Sequence, residues 1–342
     1  MNGTIDHAWQ IYRGTGEPHD GIDRLPPPPP WRRFDGSDGT EPLEVGDGVG
    51  NRPGALDRAR AYRPAPDVLD TVNAAIYLRR PLLVTGKPGV GKSTLAYSLA
   101  YELNLGPVLT WPITSRSKLE DALYRYDAIG RLQEANLRRG GRDGEVPDVG
   151  VPDIGRYLRL GPLGTALLPW RRPRVLLVDE LDKSDIDLPN DLLNIFEEGE
   201  YDIPELTRLP DDQQPVTVRT HDGQQVQVDH GRVHCRAFPV VVITNNGERE
   251  FPPAFLRRCL SLYIQPPAAD KLRDIVAAQL GADALAASDR LIDAFLAARD
   301  SADLSTDQLL NLIFLATSGR QPSPELRDRL VSVLLRPLGG VP

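Results

Sequence analysis

The most informative part of the sequence is a glycine-rich stretch, Gly86-Lys87-Pro88-Gly89-Val90-Gly91-Lys92-Ser93-Thr94. It fits the pattern G-x-x-x-x-G-K-[ST], follows the apolar run 82–84, and precedes a helical pattern that begins at Ser93. Glycines let a backbone wrap around an anion, so that successive N–H groups and a helix N-terminus face it. The whole loop is therefore predicted to bind a nucleoside triphosphate. Lys92 is expected to reach the β- and γ-phosphates, and the Ser93 hydroxyl is expected to contact Mg²⁺.

Short apolar runs recur along the chain on both sides of this loop. They cover residues 81–85, 107–111, 175–178 and 240–244 and are rich in Val, Leu and Ile without alternation. Such runs are typical of strands that are buried on both faces. Helical patterns lie around them at 66–78, 93–103 and 188–198. The alternation predicts an α/β fold with a parallel sheet sandwiched by helices.

Two regions do not follow this alternation. Apolar and polar residues alternate within 214–230 around Asp222-Gly223, which predicts a β-hairpin. The C-terminal part, 266–342, has helical patterns rich in Ala and Leu, and we expect it to form a small separate all-α domain.

The first 55 residues have an unusual composition. They contain 8 Pro and 10 Gly, and the proline run 26–30 precedes Trp31 and Phe34. A segment of this composition buries little, so we expect a flexible leader that is extended or disordered. Its two aromatic side chains are expected to lie on the body of the protein.

A second apolar run delivers two carboxylates: Val175-Leu176-Leu177-Val178-Asp179-Glu180. They end a buried strand, at the edge where α/β sheets bind ligands. Asp179 is expected to hold Mg²⁺ through water, and Glu180 is expected to polarise the attacking water as a general base. The alternative is a strand end with two solvated acids. The position, 87 residues after Lys92, favours the catalytic interpretation.

Two further strand or helix ends carry candidate groups. The run 240–244 ends in Asn245-Asn246, and an amide there can orient the lytic water, although the pair alone could equally be a turn. The run 252–259 ends in Arg257-Arg258-Cys259. A guanidinium suits a γ-phosphate, yet two arginines after a helical turn are usually solvated.

In this order the motifs resemble those of the AAA+ ATPases. Within that superfamily the chain resembles the MoxR-like ATPases, on the motifs 160–163, 179–183, 191–198 and 252–256. The resemblance covers about residues 56–320. It implies a P-loop AAA+ core at 56–265, with an insert at about 119–157, and a helical lid at 266–342.

The resemblance also implies cofactors and residue roles. ATP and Mg²⁺ are the expected cofactors, and residues 62–68 are a candidate for contacts with adenine. Asn246, or alternatively Asn245, corresponds to the sensor-1 asparagine. Arg258, or alternatively Arg257, corresponds to the arginine finger that acts on the ATP of the neighbouring subunit.

A finger in this position implies a ring, commonly a hexamer in this family. The insert and the hairpin are then expected to face the pore or the partner. In one respect the chain departs from the superfamily, because residues 304–309 lack the sensor-2 arginine that many AAA+ proteins carry early in a lid helix. This departure leaves the contact of the lid with the γ-phosphate, and the rate of hydrolysis, open.

Composition narrows the choice of partner and compartment. The net charge of −8 disfavours general binding to nucleic acid. The sequence has two cysteines, no apolar run that could span a bilayer and no signal-peptide core in residues 1–14. We therefore expect a cytoplasmic protein.

Three functions are compatible with these observations. The first is ATP-driven remodelling or maturation of a protein partner, for example one with a von Willebrand factor A domain, as the resemblance implies. The second is a nucleic-acid motor or loader, which the arginines within 138–142 and 171–174 would serve. The third is a slowly hydrolysing nucleotide switch or scaffold, which the missing sensor-2 arginine favours.

Overall fold

The structure is a computed structural model that describes residues 9–34, 36, 54–139, 153–299, 304–317 and 329. The strands in chain order are β1 (Leu82–Thr85), β2 (Leu109–Pro112), β3 (Tyr124–Tyr126), β4 (Leu158–Leu160), β5 (Val175–Asp179), β6 (Glu200–Asp202), β7 (Val216–Arg219), β8 (Gln225–Val228), β9 (Arg232–His234), β10 (Val240–Asn245) and β11 (Leu260–Tyr263). The helices are α1 (Ala55–Ala61), α2 (Pro66–Leu78), α3 (Lys92–Glu102), α4 (Leu119–Leu123), α5 (Ala128–Arg139), α6 (Pro162–Ala166), α7 (Leu188–Glu198), α8 (Pro204–Thr207), α9 (Pro253–Leu256), α10 (Ala269–Leu280), α11 (Ala282–Ala286), α12 (Asp289–Arg299) and α13 (Thr306–Thr317).

Five parallel strands form the central sheet, in the order β11-β1-β10-β5-β2. Four of them are the predicted buried strands, so the predicted α/β fold with a parallel sheet is confirmed. The fifth, β11, is missing from the sequence-based set. It lies at the edge, and its residues Ser261 and Tyr263 are exposed, so it lacks the unbroken apolar run of the other strands.

Two hydrophobic clusters cover the two faces of this sheet. Along β5, Leu176 and Val178 belong to one cluster, and Val175 and Leu177 to the other, because successive side chains of a strand point to opposite faces. Helices α1, α2 and α3 contribute to one cluster, and α6 and α7 to the other. Each fully buried aliphatic side chain stabilises the fold by about 1.5–3 kcal/mol relative to an exposed one.

A second sheet joins the insert to the hairpin. Its order is β3-β4-β7-β8, and a separate two-stranded sheet pairs β6 with β9. The predicted hairpin is present as β7 and β8, which bury the valines of both strands. The pairing of insert strands β3 and β4 with this hairpin was not predicted from the sequence. Residues 140–152 of the insert lie outside the described part of the chain.

The N-terminal segment differs from the expectation. Residues 9–34 are packed on the body, and Ile11, Tyr12 and Ile22 are buried in the cluster that also holds α2 and α3. The side chains of Glu102 and Asn73 accept hydrogen bonds from five backbone N–H groups of the segment. The prediction of a disordered segment that buries little is therefore wrong for residues 9–34, because composition does not reveal such distant polar anchors.

The two aromatic residues of this segment have different environments. Phe34 is buried and stacks on Phe238, with the Arg32 guanidinium over both rings. Trp31 is 79% exposed. Residues 1–8, 35 and 37–53 are outside the described chain.

Helices α10 to α13 form a small core of their own. Its buried members include Leu272, Val276, Ile292, Phe295 and Ile313. The domain limits at residues 55, 265 and 342 stay predictions. In the described residues, no helix is both long and apolar enough to cross a bilayer.

Candidate active site

The phosphate-binding loop connects β1 to α3. Gly89 and Gly91 have φ angles of +74° and +94°, a region that side-chain-bearing residues rarely adopt. At Gly86 the constraint is space, because a Cβ would lie 2.6 Å from the carbonyl oxygen of Ile264. The glycines of the motif are thus required by the backbone path and by the approach of the segment after β11.

Lys92 is the first residue of α3 and only 7% exposed. Its ammonium donates to the carbonyl oxygens of Gly86 (2.6 Å) and Lys87 (3.0 Å) and to Oδ1 of Asn246 (2.7 Å). Burial lowers the pKa of Lys92, and the nearby carboxylates, first that of Asp182, oppose this effect. The loop therefore surrounds the desolvated ammonium of Lys92, and a phosphate can bind this ammonium.

Oxygen ligands suitable for Mg²⁺ meet between α3 and β5. The hydroxyls of Ser93 and Thr244 both donate to Oδ1 of Asp179, each at 2.8 Å. Thr244 Oγ1 also accepts from the backbone N–H of Glu180 (2.7 Å). Mg²⁺ prefers hard oxygen ligands and commonly takes only one or two from the protein. Ser93 and Asp179 fit this requirement, and Thr244, which the sequence analysis missed, positions the carboxylate.

Glu180 lies one residue beyond β5. Its φ angle is +62°, an unfavourable value for a non-glycine residue that is found at functional sites. Its carboxylate accepts hydrogen bonds from Lys183 (2.7 Å) and from the Asn246 amide (3.2 Å). The bond from Lys183 holds the pKa of Glu180 below its ordinary range, although partial burial opposes this. Glu180 is therefore ionised at neutral pH, as a general base must be.

The two candidate asparagines have different positions. Asn246 bridges the site, because its oxygen accepts from Lys92 and its amide donates to Glu180. Asn245 is buried, and its Oδ1 accepts from the N–H of Gly247 (2.7 Å) in a local turn. The sensor role of Asn246 stays a prediction.

Asp182 holds the backbone of Asn246. Its Oδ2 accepts from the N–H groups of Asn246 (2.9 Å) and Glu248 (3.2 Å). Asp182 is 3% exposed, and its carboxylate thus fixes the turn that carries the bridging amide. The sequence pattern alone indicates no role for Asp182.

The candidate finger arginines lie away from the loop. Arg258 Nε donates to Glu197 of α7 (3.1 Å), and Arg257 is exposed. Among the hydrogen bonds between described residues, none joins either side chain to the loop 86–94, Asp179 or Glu180. The structure does not bring these arginines into the site of the same chain.

A cavity of about 400 Å³ adjoins the loop. Its lining includes residues of the loop, of 61–68, of 263–268 and of the lid, and 62–68 is the segment expected to contact adenine. Tyr62 lies in this lining, and burial raises the pKa of its hydroxyl. The volume is within the range of small-molecule sites.

The lid closes the cavity on one side. Ser305, just before α13, packs closely on the loop. If Gly89 carried a Cβ, that atom would lie 2.7 Å from the Cβ of Ser305. Among the described lid residues that line the cavity, Lys271 is the cationic one. Burial lowers its pKa, and Asp67 opposes this effect. The sequence analysis missed Lys271, although its rarity as one of five lysines was a signal.

This fold and site define a P-loop ATPase of the AAA+ superfamily. A model of the AAA domain of the dynein-related subfamily matches residues 81–259, slightly more than half of the chain. The chain therefore belongs to this AAA family, which binds nucleotide, typically with Mg²⁺, and hydrolyses ATP. No curated protein matches the chain.

Proposed function

We propose that this chain is a MoxR-like, Mg²⁺-dependent ATPase that uses hydrolysis to remodel or mature a protein partner. The observation that carries the proposal is the connection of Lys92, Asn246 and Glu180 by hydrogen bonds. A cation that can bind phosphate, an amide that can orient water and an ionised carboxylate are thus neighbours, and this supports the proposal.

Each residue then has a distinct task. The loop 86–94 binds the phosphates, with Lys92 supplying the charge. Ser93 and Asp179 would hold Mg²⁺, which neutralises phosphate charge when it is bound. Glu180 accepts the proton of the attacking water, and Asn246 orients that water.

We further propose a ring, with a hexamer as the expected size, in the cytoplasm. AAA+ proteins commonly oligomerise, and Arg258 lies outside the site of its own chain, so that it would complete the site of a neighbour. Arg257 remains the alternative finger. The chain's net charge of −8 favours a protein partner over nucleic acid, and a von Willebrand factor A domain protein is the candidate from the MoxR resemblance.

Nucleotide trapping and turnover test the proposal together. Glu180→Gln should retain ATP but lose about 10²–10⁴ in turnover, because the general base is removed. Lys92→Ala should lose ATP binding, whereas Lys118→Ala, outside the site, should behave as wild type. Normal ATP binding by Lys92→Ala would refute the assignment of the site.

The slow nucleotide switch is the second candidate. The lid segment beside Gly89 carries Ser305 and Thr306 rather than an arginine, and Lys271 is the cation among the described lid residues that line the cavity. This candidate predicts tight binding with little turnover, and a partner bound in only one nucleotide state.

The nucleic-acid motor is less favoured by the contacts. In the patch 171–174, Arg172 pairs with Asp20 and Asp23, and Arg174 is buried against Asp222. Of the patch within 138–142, no side chain lies in the described part. DNA-stimulated hydrolysis with steep salt dependence would favour this candidate.

A further inference from the structure

Three arginines stand side by side on the exposed face of the second sheet. Arg125 of β3 is paired with Arg159 of β4, Arg159 with Arg219 of β7, and Arg219 with Gln225 of β8. Neighbouring strands are about 4.8 Å apart, so the row extends over about 10 Å. Like charges directly opposite one another destabilise a sheet. This arginine row is therefore a costly arrangement that folding alone does not explain.

The arginine row lines a cleft of about 800 Å³. The Arg125 side chain is 75% exposed, and Arg159 and Arg219 are exposed as well. Among the described residues, Arg125 has a distant ion pair with Asp121 (3.6 Å), and Arg159 donates to the carbonyl of His221 (2.7 Å). The guanidinium of Arg219 has no hydrogen bond or ion pair with any residue described. Within the described part of the chain, much of the donor capacity of the row is thus not used by a protein partner.

The surroundings of the row indicate a positive local field in an acidic chain. Arg156 adds a fourth guanidinium to the cleft, 3.8 Å from the Glu134 carboxylate, and the four arginines outnumber the two lining aspartates. His221, next to the row, is partly buried, and burial and then the charge of Arg159 lower its pKa. The cleft therefore favours an anionic ligand, and the planar fork of arginine matches carboxylates and phosphates alike.

Two observations favour a polypeptide over a polynucleotide. The carboxylates of Asp127 and Asp153 line the same cleft. They disfavour a phosphate backbone, which carries a charge at every unit, more than a peptide whose carboxylates are separated by apolar residues. Helix α5, which Asp127 caps at the cleft rim, exposes Ile129 and Leu132, and these suit apolar side chains of a partner. In an extended peptide, alternate side chains are about 6.6 Å apart, so two carboxylates fit the row.

We propose that the arginine row binds an acidic, partly apolar segment of a protein partner. This inference rests on the proposed function in that it names the class of segment that the ATPase engages. The site lies on the insert and hairpin, and its binding can be measured without nucleotide.

The test is fluorescence anisotropy of the full chain with three labelled probes of equal length. They are a peptide that alternates Glu and Leu, the same peptide with Gln for each Glu, and a single-stranded oligodeoxynucleotide. The row variant is Arg125→Gln/Arg159→Gln/Arg219→Gln. The control variant, Arg116→Gln/Arg236→Gln/Arg290→Gln, makes the same charge change at exposed arginines outside the cleft. Arg219→Gln alone is a milder variant.

We expect the acidic peptide to bind the wild type more tightly than the other two probes. Its Kd should rise about tenfold or more in the row variant, a few-fold in Arg219→Gln, and within about twofold in the control. Tighter binding of the oligonucleotide, equal losses in both triple variants, or no binding of the acidic peptide would overturn the proposal. Basal ATPase activity, measured separately, should be unchanged in the row variant. Loss of ATPase activity in Lys92→Ala tests the proposed function, and this measurement does not depend on peptide binding.

Discussion

The packing of the N-terminal segment depends on one buried carboxylate, that of Glu102 at the end of α3. Its side chain is fully buried. Oε1 accepts from the N–H groups of Arg13 (2.7 Å) and Gly14 (2.9 Å), and Oε2 accepts from Gly16 (3.0 Å). His19 Nε2 is a fourth neighbour, 3.2 Å from Oε1. Glu102→Gln keeps the size of the side chain but replaces one acceptor oxygen by a donor.

The expected loss in the free energy of unfolding follows from these contacts. In the Glu102→Gln variant, one backbone N–H group faces another donor, and the charge that strengthens the other bonds is lost. We expect the free energy of unfolding to fall by about 1–3 kcal/mol. Glu102→Ala leaves all three N–H groups without their acceptor and creates a cavity, so we expect a loss of about 3–5 kcal/mol.

Urea unfolding followed by circular dichroism measures these losses, and hydrogen exchange of residues 9–34 locates them. Glu17→Gln, at an exposed position of the same segment, is the matched control. If Glu102→Gln unfolded at the same urea concentration as Glu17→Gln, the anchoring role of Glu102 would be refuted.

Three further predictions concern the site. Asn246→Ala should lower kcat with little change in ATP affinity, whereas Asn245→Ala should chiefly lower the melting temperature; the reverse pattern would exchange their roles. Lys271→Ala should raise the KM for ATP several-fold, and an unchanged KM would remove Lys271 from the nucleotide site. The pKa of Glu180 is lowered, so its base form is present above that pKa and is lost only as the pH falls through it. The pH profile of kcat/KM should therefore stay flat to below the ordinary Glu range, and Lys183→Met should move its acid limb upward; an unmoved limb would contradict the pKa argument.

The central sheet and the phosphate loop could be predicted because their signals are local. A strand buried on both faces needs a continuous apolar run, and the glycines of the loop are required by its own backbone. Strand β11 has neither signal, since its exposed Ser261 and Tyr263 interrupt the run. Its place in the sheet depends on pairing with β1, which is distant in sequence.

The other features that the sequence does not reveal also depend on contacts between residues that are distant in sequence. The anchors of residues 9–34 are Asn73 and Glu102, which look like ordinary helix residues in the sequence. Asn245 and Asn246 are consecutive, and only the turn fixed by Asp182 decides which of them reaches Lys92. Composition and spacing do not contain these tertiary contacts.

The most direct test of the account is the ATPase rate per subunit measured against protein concentration, for the wild type and for Arg258→Ala. Arg236→Ala, at an exposed arginine outside the site, serves as the control. We expect a rate that climbs with concentration and saturates, that is lost in Arg258→Ala and that persists in Arg236→Ala. A rate that is independent of concentration and survives Arg258→Ala would contradict a site shared between subunits.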